Sequence, residues 1–455
     1  MAHTSNIPKR GGNRFACLEL LRLGKGVGRI DNSTSCFEKW DLLKEDISLP
    51  AAILDMEKFS DNLAWMEKFI NKFEAPIKIA PHGKTTMSPN LFHHVISQPS
   101  TWGLTLATAS QVRVAHEFGV SKVLLANQLI GKRNMDIISE IMSSDENFDF
   151  LCTIDSSENV EQLGQFFSER KQKLKVLLEY GPPNGRTGVR NEKQEAEVLK
   201  TLTTWSDTID FVGVEFFEGV LSLKQDVSDF VDYITERTAH LIKAQCFNPN
   251  FAVTITGSGS VWFDIVAEKL TTFFQSTKAT TTTPSIQIIL RPGCYMIHDV
   301  GMYTEISSRI KFKQLMDNSE LQPALKIWAY VQSIPEKDVA IVGFGRRDAG
   351  HDSGFPKPAL HFRPWRKVVG SEEVGTEEVE IKRKLEVVIP DKWELFRMMD
   401  QHSFMRIGEG DDVEVGDMVA FDIIHACTTF DKWRNIVIVD NEKDMSTVDI
   451  YQTFF

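Results

Sequence analysis

The stretch IKIAPHGKTTMSPNLF, residues 77–92, sets the reading of this chain. IKIAP reads as a short strand that runs directly into His82-Gly83-Lys84-Thr85-Thr86, so a lysine stands at the end of a strand rather than on a solvated helix. The same rhythm continues on both sides. From residue 51 onward, short apolar or β-branched runs alternate with longer amphipathic stretches, as repeated βα units do. The strands expected are Ala51–Asp55, Ile77–Pro81, Gly103–Thr108, Lys122–Ala126, Asp149–Ile154, Leu174–Tyr180, Asp210–Phe217, Phe251–Thr256 and Ile286–Arg291. Intervals such as Met56–Phe73 and Asp226–Gln245 carry helical periodicity. With Ala51–Asp55 set outside, eight strands make an α/β fold, a (β/α)8 barrel that begins at Ile77 and closes at Arg291, near the usual size of about 250 residues. A doubly wound open sheet fits the same alternation.

With 455 residues, the chain has well over a hundred left for a second domain. After Tyr303 strands alternate without regular helices between them: Leu325–Ile334, Val339–Val342, Leu385–Ile389, Met418–Asp422 and Asn435–Val439. The organisation expected is an N-terminal extension at 1–46, the barrel at 47–303 and a β-rich domain at 304–455. The extension is weakly periodic, and either packs on the second domain or frays. The Thr-rich segment Thr277–Thr283 and the polar stretch Gly370–Lys384 read as exposed loops.

Composition narrows the partners. A net charge of −12 disfavours a broad nucleic-acid footprint, which needs a local surplus of Lys and Arg. No apolar run approaches the roughly 18–20 residues that cross a bilayer, and Lys9, Arg10 and Arg14 precede only a brief apolar run, without a signal-peptide core. A cytoplasmic protein with a small-molecule partner, no nucleic acid and no membrane is expected. Cys17, Cys36, Cys152, Cys246, Cys294 and Cys427 form no CxxC pair, so neither a zinc ribbon nor a disulfide framework is suggested.

Active sites of such barrels gather at the C-terminal ends of the strands. Lys84, placed there, can lose its proton by desolvation and attack the carbonyl of a substrate or of pyridoxal phosphate; a surface lysine at a helix start is the plainer reading. After the seventh strand, Gly257-Ser258-Gly259-Ser260 has the backbone N–H groups and hydroxyls to cradle a phosphate, at the position where this architecture usually holds one. After the eighth comes Arg291-Pro292-Gly293-Cys294-Tyr295. Gly185-Arg186-Thr187-Gly188 follows the fifth, and offers either a guanidinium to an anionic oxygen or an ordinary surface turn. In the second domain stand Asp400-Gln401-His402 and His425-Ala426-Cys427. A His-x-Cys pair in a strand points both side chains to one face, which suits two ligands of a tetrahedral metal completed by water or substrate. A buried polar pair is the alternative.

As a set these motifs resemble the D-serine dehydratase and D-threonine aldolase family of fold-type III pyridoxal-phosphate enzymes, relatives of alanine racemase. The resemblance runs from about residue 47 onward, through APHGKTTMSPNLF (80–92), LATASQVRVAHEFG (106–119), GRTGV (185–189), TGSGS (256–260), RPGCYMIHD (291–299), DQHSFM (400–405) and HACTTFDKW (425–433). It implies an alanine-racemase-type barrel, pyridoxal 5'-phosphate bound by Lys84, and His82, Arg186, Thr187, Gly257, Ser258, Gly259, Gly293 and Tyr295 around the cofactor. It implies a divalent metal, normally zinc, on His425 and Cys427, with Gln401 and His402 near the substrate, and a homodimer. His-x-Cys in place of His-x-Asp points to the dehydratase branch, hence D-serine, D-threonine or a related D-3-hydroxy amino acid going to a 2-oxo acid and ammonia. Retro-aldol cleavage of D-threonine to glycine and acetaldehyde, or a non-catalytic pyridoxal-phosphate-binding regulatory role, are the alternatives. Two features depart from the family: Phe216-Phe217-Glu218-Gly219 stands where relatives often supply a tyrosine, and the long N-terminal segment has no counterpart.

Overall fold

The computed structural model describes residues 25–28, 40–278, 284–301, 303, 306, 309, 314–364, 390–442 and 444–455. Eight parallel strands, β2 Ile77–Ile79, β3 Leu104–Leu106, β4 Lys122–Gln128, β5 Asp149–Ile154, β6 Leu174–Tyr180, β7 Ile209–Phe216, β8 Val253–Gly257 and β9 Ile286–Leu290, pair in sequence order, with β2 beside β9. The ring closes where β2 runs out. Ile79 bridges Thr101 and His82 bridges Thr105, through bonds such as Trp102 N–H to the Ile79 carbonyl at 2.7 Å. The open sheet is thereby excluded, and the barrel with a separate β-rich domain is what the molecule has.

Local chemistry sets the helix starts. Asp55, Thr108, Ser156 and Asn191 each accept a backbone N–H three residues on, satisfying a donor that the first helical turn leaves free. Leu124, Leu151, Leu177 and Val212, from four successive strands, form a cluster of their own, apart from the neighbouring residues that pack under the helices. Alternation along each strand makes them the filling of the barrel interior. The last crossover helix, Phe263–Lys278, takes in Thr277, so that residue is helical rather than part of a loop; 279–283 lie outside the described residues.

The strand β1, Ala51–Asp55, belongs to the second sheet, antiparallel to β10 (Leu325–Glu336) and parallel to β16 (Asn435–Asn441). The barrel's own sheet therefore begins at Ile77, within the span 47–303 expected for it. The nine-stranded mixed sheet also contains β11 Val339–Val342, β12 Lys357–Phe362, β13 Glu394–Met398, β14 Ser403–Arg406, β15 Met418–Asp422 and β17 Asp444–Gln452. Four of these, β12, β13, β14 and β17, were not expected from the sequence. Pro358 interrupts β12, and β17 is largely polar. Expected strand Leu385–Ile389 and the loop Gly370–Lys384 lie outside the described residues, as do 1–24 and 29–39, with Cys17 and Cys36. What is described of the N-terminal segment packs on the second domain: Val27, Trp40, Leu42 and Ile47 share a core with Ile53, Trp328, Leu360 and Val437. No described helix is long and apolar enough to cross a membrane.

The helix Met56–Ile70 leads from β1 to the barrel and fixes the segment after β9. Asn62, almost fully buried, donates to the Met296 carbonyl at 3.1 Å and the Gln322 carbonyl at 2.8 Å and accepts the Gln322 N–H at 2.8 Å. Asn62→Ala leaves these groups buried and unpaired, and is expected to lower unfolding free energy by about 2–4 kcal/mol. Urea denaturation checks this; an unchanged midpoint would mean the clamp carries no stability.

Candidate active site

The chain leaves β2 and makes a single tight turn, Gly83–Thr85, at the mouth of the barrel. Lys84 is half-buried there, and its ammonium has no hydrogen-bond or ion-pair partner among the described residues. Its neighbour His82 has a fully buried Nδ1 without a partner. Burial, and then the charges of Lys84, Arg291 and Arg186, hold the His82 imidazole well below its ordinary pKa, so the ring is neutral. Three cations thus converge on one neutral histidine, and the mouth is a place for an anion. Gly293 closes in from the eighth loop; a Cβ there would stand 2.7 Å from His82 Cβ, so only glycine allows this approach.

Arg186 extends over the Phe217 ring, with its guanidinium carbon 4.8 Å from the ring centre. Arg190 threads the turn behind it, donating to the carbonyls of Thr187, Gly188 (2.6 Å) and Gly185 (3.0 Å). The Thr187 hydroxyl donates to Glu179, whose other oxygen accepts from Gln128 at 2.6 Å. Its proton is therefore engaged within the barrel wall. Arg291 is buried against Glu215 and donates to the Phe216 carbonyl at 2.9 Å, and its Nε has no partner. Burial pushes the Glu215 carboxyl up to about 8, against the pull of Arg291.

The loop after β8 forms a cup. Ser258 sits at φ +81°, so that successive N–H groups turn to one side as in an anion-binding nest. Phe216 and Phe217 press against Gly257 and Gly259, leaving no room for a Cβ on either. Both donors of the cup are occupied: Ser258 N–H (3.1 Å) and Gly259 N–H (2.8 Å) bond the carboxylate of Glu218, which is fully buried. Tyr295 is buried with Glu67 of the helix Met56–Ile70 as its charged neighbour, whereas Tyr303 stands beside Cys294 and Ser260.

Across the mouth lies the second domain's motif. His425-Ala426-Cys427 is not in a strand, as the sequence suggested, but in a turn that enters the short helix Cys427–Phe430, because β15 ends at Asp422. The two side chains meet nonetheless. Cys427 Sγ lies 3.4 Å from the Thr85 hydroxyl, next to Lys84, and 3.5 Å from Cys294 Sγ. The Cys294 thiol, then, after the cost of burial, the imidazolium of His425 and the Thr85 hydroxyl stabilise the Cys427 thiolate, lowering its pKa to about 4. That thiolate in turn, against burial and with help from Asp352, raises His425 to about 9. Asp352 takes His425 Nδ1 at 2.6 Å and Thr428 Oγ1 at 2.8 Å, so the imidazole stands between Asp352 and the Cys427 sulfur. Among the described residues no cluster of three or more His, Cys, Asp or Glu forms a metal cage.

Gln401 and His402 form the exposed turn of the β13–β14 hairpin, Met399 N–H to the His402 carbonyl at 2.8 Å. Their side chains have no hydrogen bond or ion pair with described residues, and the structure does not join them to the Lys84 cluster. Glu218, Cys294 and Asp352 are the participants that sequence reasoning did not single out. Only Glu218 left a signal, as the departure at the end of the sixth barrel strand.

Residues 324–439 match the family described as "Putative serine dehydratase domain". A D-threonine aldolase from Arthrobacter sp is 19% identical over 175 residues, 38% of this chain and 44% of that protein, so less than half of the relative is spanned. The fold is that of the crystal structure of D-threonine aldolase from Filomicrobium marinum (TM-score 0.71, 16% identity, 92% of this chain and 98% of that one). It is shared by D-threo-3-hydroxyaspartate dehydratase from Delftia sp. HT23 (0.62, 15%, 91% and 99%). Structures of a dehydratase of that name include a histidine-to-alanine mutant and, two positions on, a cysteine-to-alanine mutant in the metal-free form. The alanine racemase of Clostridium difficile 630 is similar at a TM-score of 0.54, with 16% identity over 89% of this chain and 99% of that one. The resemblance drawn from the motifs is borne out.

A thiolate held at a pKa of about 4 stays ionised as pH falls until that value, where an ordinary thiol is already protonated below about 8.5. Alkylation of Cys427 by iodoacetamide in metal-free protein is expected to hold nearly constant from pH 8 to pH 5, read by peptide mass spectrometry. A tenfold loss per pH unit across that range would contradict the thiolate–imidazolium pair.

Proposed function

We propose that this chain is a pyridoxal-phosphate-dependent lyase that dehydrates and deaminates a D-3-hydroxy amino acid, D-serine, D-threonine or a relative, to a 2-oxo acid and ammonia. The observation that carries this reading is the contact of Cys427 with Thr85, which brings His425 and Cys427 over the turn that holds Lys84. A lysine without a hydrogen-bond partner among the described residues, two arginines converging on the same histidine, and a glycine cup whose N–H groups already hold an anionic group fit pyridoxal phosphate. The open His–thiolate pair, with Asp352 orienting the imidazole, fits a divalent metal such as zinc.

When bound, the cofactor supplies an electron sink at the substrate's Cα, and a metal supplies positive charge at the β-oxygen, where hydroxide must leave. Lys84 would hold the cofactor, and its Nζ at the barrel mouth would be placed to take the substrate's Cα proton. His82, neutral and with its Nδ1 buried, lines the pocket without competing for that proton. Arg186 and Arg291 keep the mouth positive, so an amino acid's carboxylate enters favourably. Thr85 and Cys294 hold the Cys427 sulfur in place. The aldolase reading keeps the same groups but breaks the Cα–Cβ bond; His-x-Cys favours elimination. A homodimer in the cytoplasm completes the proposal.

Loaded protein offered D-serine and D-threonine should release ammonia and 2-oxo acid in equal amounts. Lys84→Ala should abolish the visible absorbance of the lysine-bound cofactor and all turnover. Chelation or Cys427→Ala should lower turnover by about a hundredfold while that absorbance persists, in line with losses of a metal-site group. Glycine with acetaldehyde as the products from D-threonine would assign the aldolase instead, and turnover by demonstrably metal-free protein would remove the metal from the reading.

A further inference from the structure

The cup after β8 is closed by the chain itself. We propose that Glu218 is a resident anion that occupies the phosphate cup, and that a phosphate-bearing ligand binds only by displacing it. This rests on the reading that the cup takes the cofactor's phosphate.

Ser258 and Gly259 each have one backbone N–H, and both point at the Glu218 carboxylate, at 3.1 and 2.8 Å. A phosphate in the cup needs the same two donors. It cannot share them, because a second anion at hydrogen-bond distance from a buried carboxylate is strongly repelled where solvent screening is weak. The carboxylate must leave, or lose its charge. The backbone beyond it suits movement. Gly219 follows at once, and Val220 and Leu223 are exposed although apolar, at 45% and 63%. Across to the cup's far side the segment is fastened by the Trp262 indole on the Leu221 carbonyl at 3.0 Å. On departure Glu218 gives up two N–H bonds, and the incoming phosphate takes them and gains Arg291 nearby, whose Nε has no partner. Glu218 thus keeps the cup's donors satisfied and its walls apart in the empty protein, while setting a threshold on the anion that can enter. A neutral or weakly anionic ligand does not meet it. The apparent affinity is the intrinsic affinity multiplied by the fraction of cups that are open.

The test titrates cofactor-free wild type, Glu218→Gln and Glu218→Ala with pyridoxal 5'-phosphate, inorganic phosphate and pyridoxal, following calorimetry and the visible absorbance of the Lys84 adduct, with circular dichroism to report folding. Both variants are expected to bind the two phosphate-bearing probes about tenfold tighter or more, the fraction released by opening the cup, with pyridoxal unchanged. A crystal structure of wild type with pyridoxal 5'-phosphate decides the matter even if the variants do not fold: Glu218 should be off both N–H groups. Unchanged affinity for both phosphate-bearing probes in folded variants, or Glu218 still on Ser258 and Gly259 with the phosphate bound elsewhere, overturns the proposal. If pyridoxal 5'-phosphate forms no adduct with Lys84 but inorganic phosphate still binds more tightly in the variants, the proposed function fails and the displacement by phosphate stands.

Discussion

Two residues 342 apart in the chain, Thr85 and Cys427, touch through a hydroxyl and a sulfur, and that contact makes one site out of two domains. Everything that could act on a substrate depends on it. Lys84 is set by the barrel, whose ring closes through the bridge from His82 to Thr105 just before the lysine. Cys427 is set by the mixed sheet, through the end of β15. Neither domain carries both. The docking therefore has to be stiff, and β1 makes it so: the chain begins in the second sheet, between β10 and β16, before it enters the barrel. The Met56–Ile70 helix then braces the loop after β9 through Asn62. A site assembled at a domain boundary is held to geometry by such fixed elements rather than by loops.

The electrostatics of the mouth follow from crowding. Arg186, Arg291 and Lys84 in range of one imidazole repel one another, and the barrel sets two acidic side chains beneath them. Glu215 pairs with Arg291, and Glu179 is spanned by Gln128 and Thr187. Both acidic groups and Arg291 lie in the wall, and Lys84 and Arg186 stand at the opening. That polarity attracts anions from solvent although the chain as a whole carries a net charge of −12.

Much of the barrel was legible because its strands are buried on both faces and read as apolar runs, bounded by helices with Thr, Ser and Asn caps. The ends of those strands were read as the site's location, and the structure brings Lys84, Arg186, the Gly257–Gly259 turn and Gly293 to the barrel mouth. The second domain was less legible for a physical reason. One face of several of its strands is wet, β13 and β14 are short, and Pro358 breaks β12. Periodicity therefore had little to act on in LHF or FMR. Cys294 could be placed in a loop but not against Cys427, since a contact between domains leaves no trace in local spacing. His425 and Cys427 were paired for the wrong local reason, strand alternation, and meet because a turn followed by a helix brings them together.

Glu218 illustrates how a departure from a pattern carries information that the pattern does not. An apolar or aromatic residue at that position would leave the Ser258 and Gly259 N–H groups buried and unpaired whenever the cup is empty, and each such group costs about 1–3 kcal/mol. A carboxylate satisfies both, at the cost of burying its own charge, which is why burial raises its pKa. The two costs oppose each other across the same pair of hydrogen bonds. The empty cup is thereby kept open in shape yet closed to a second anion, and one residue links the stability of the unloaded barrel to the affinity of its mouth.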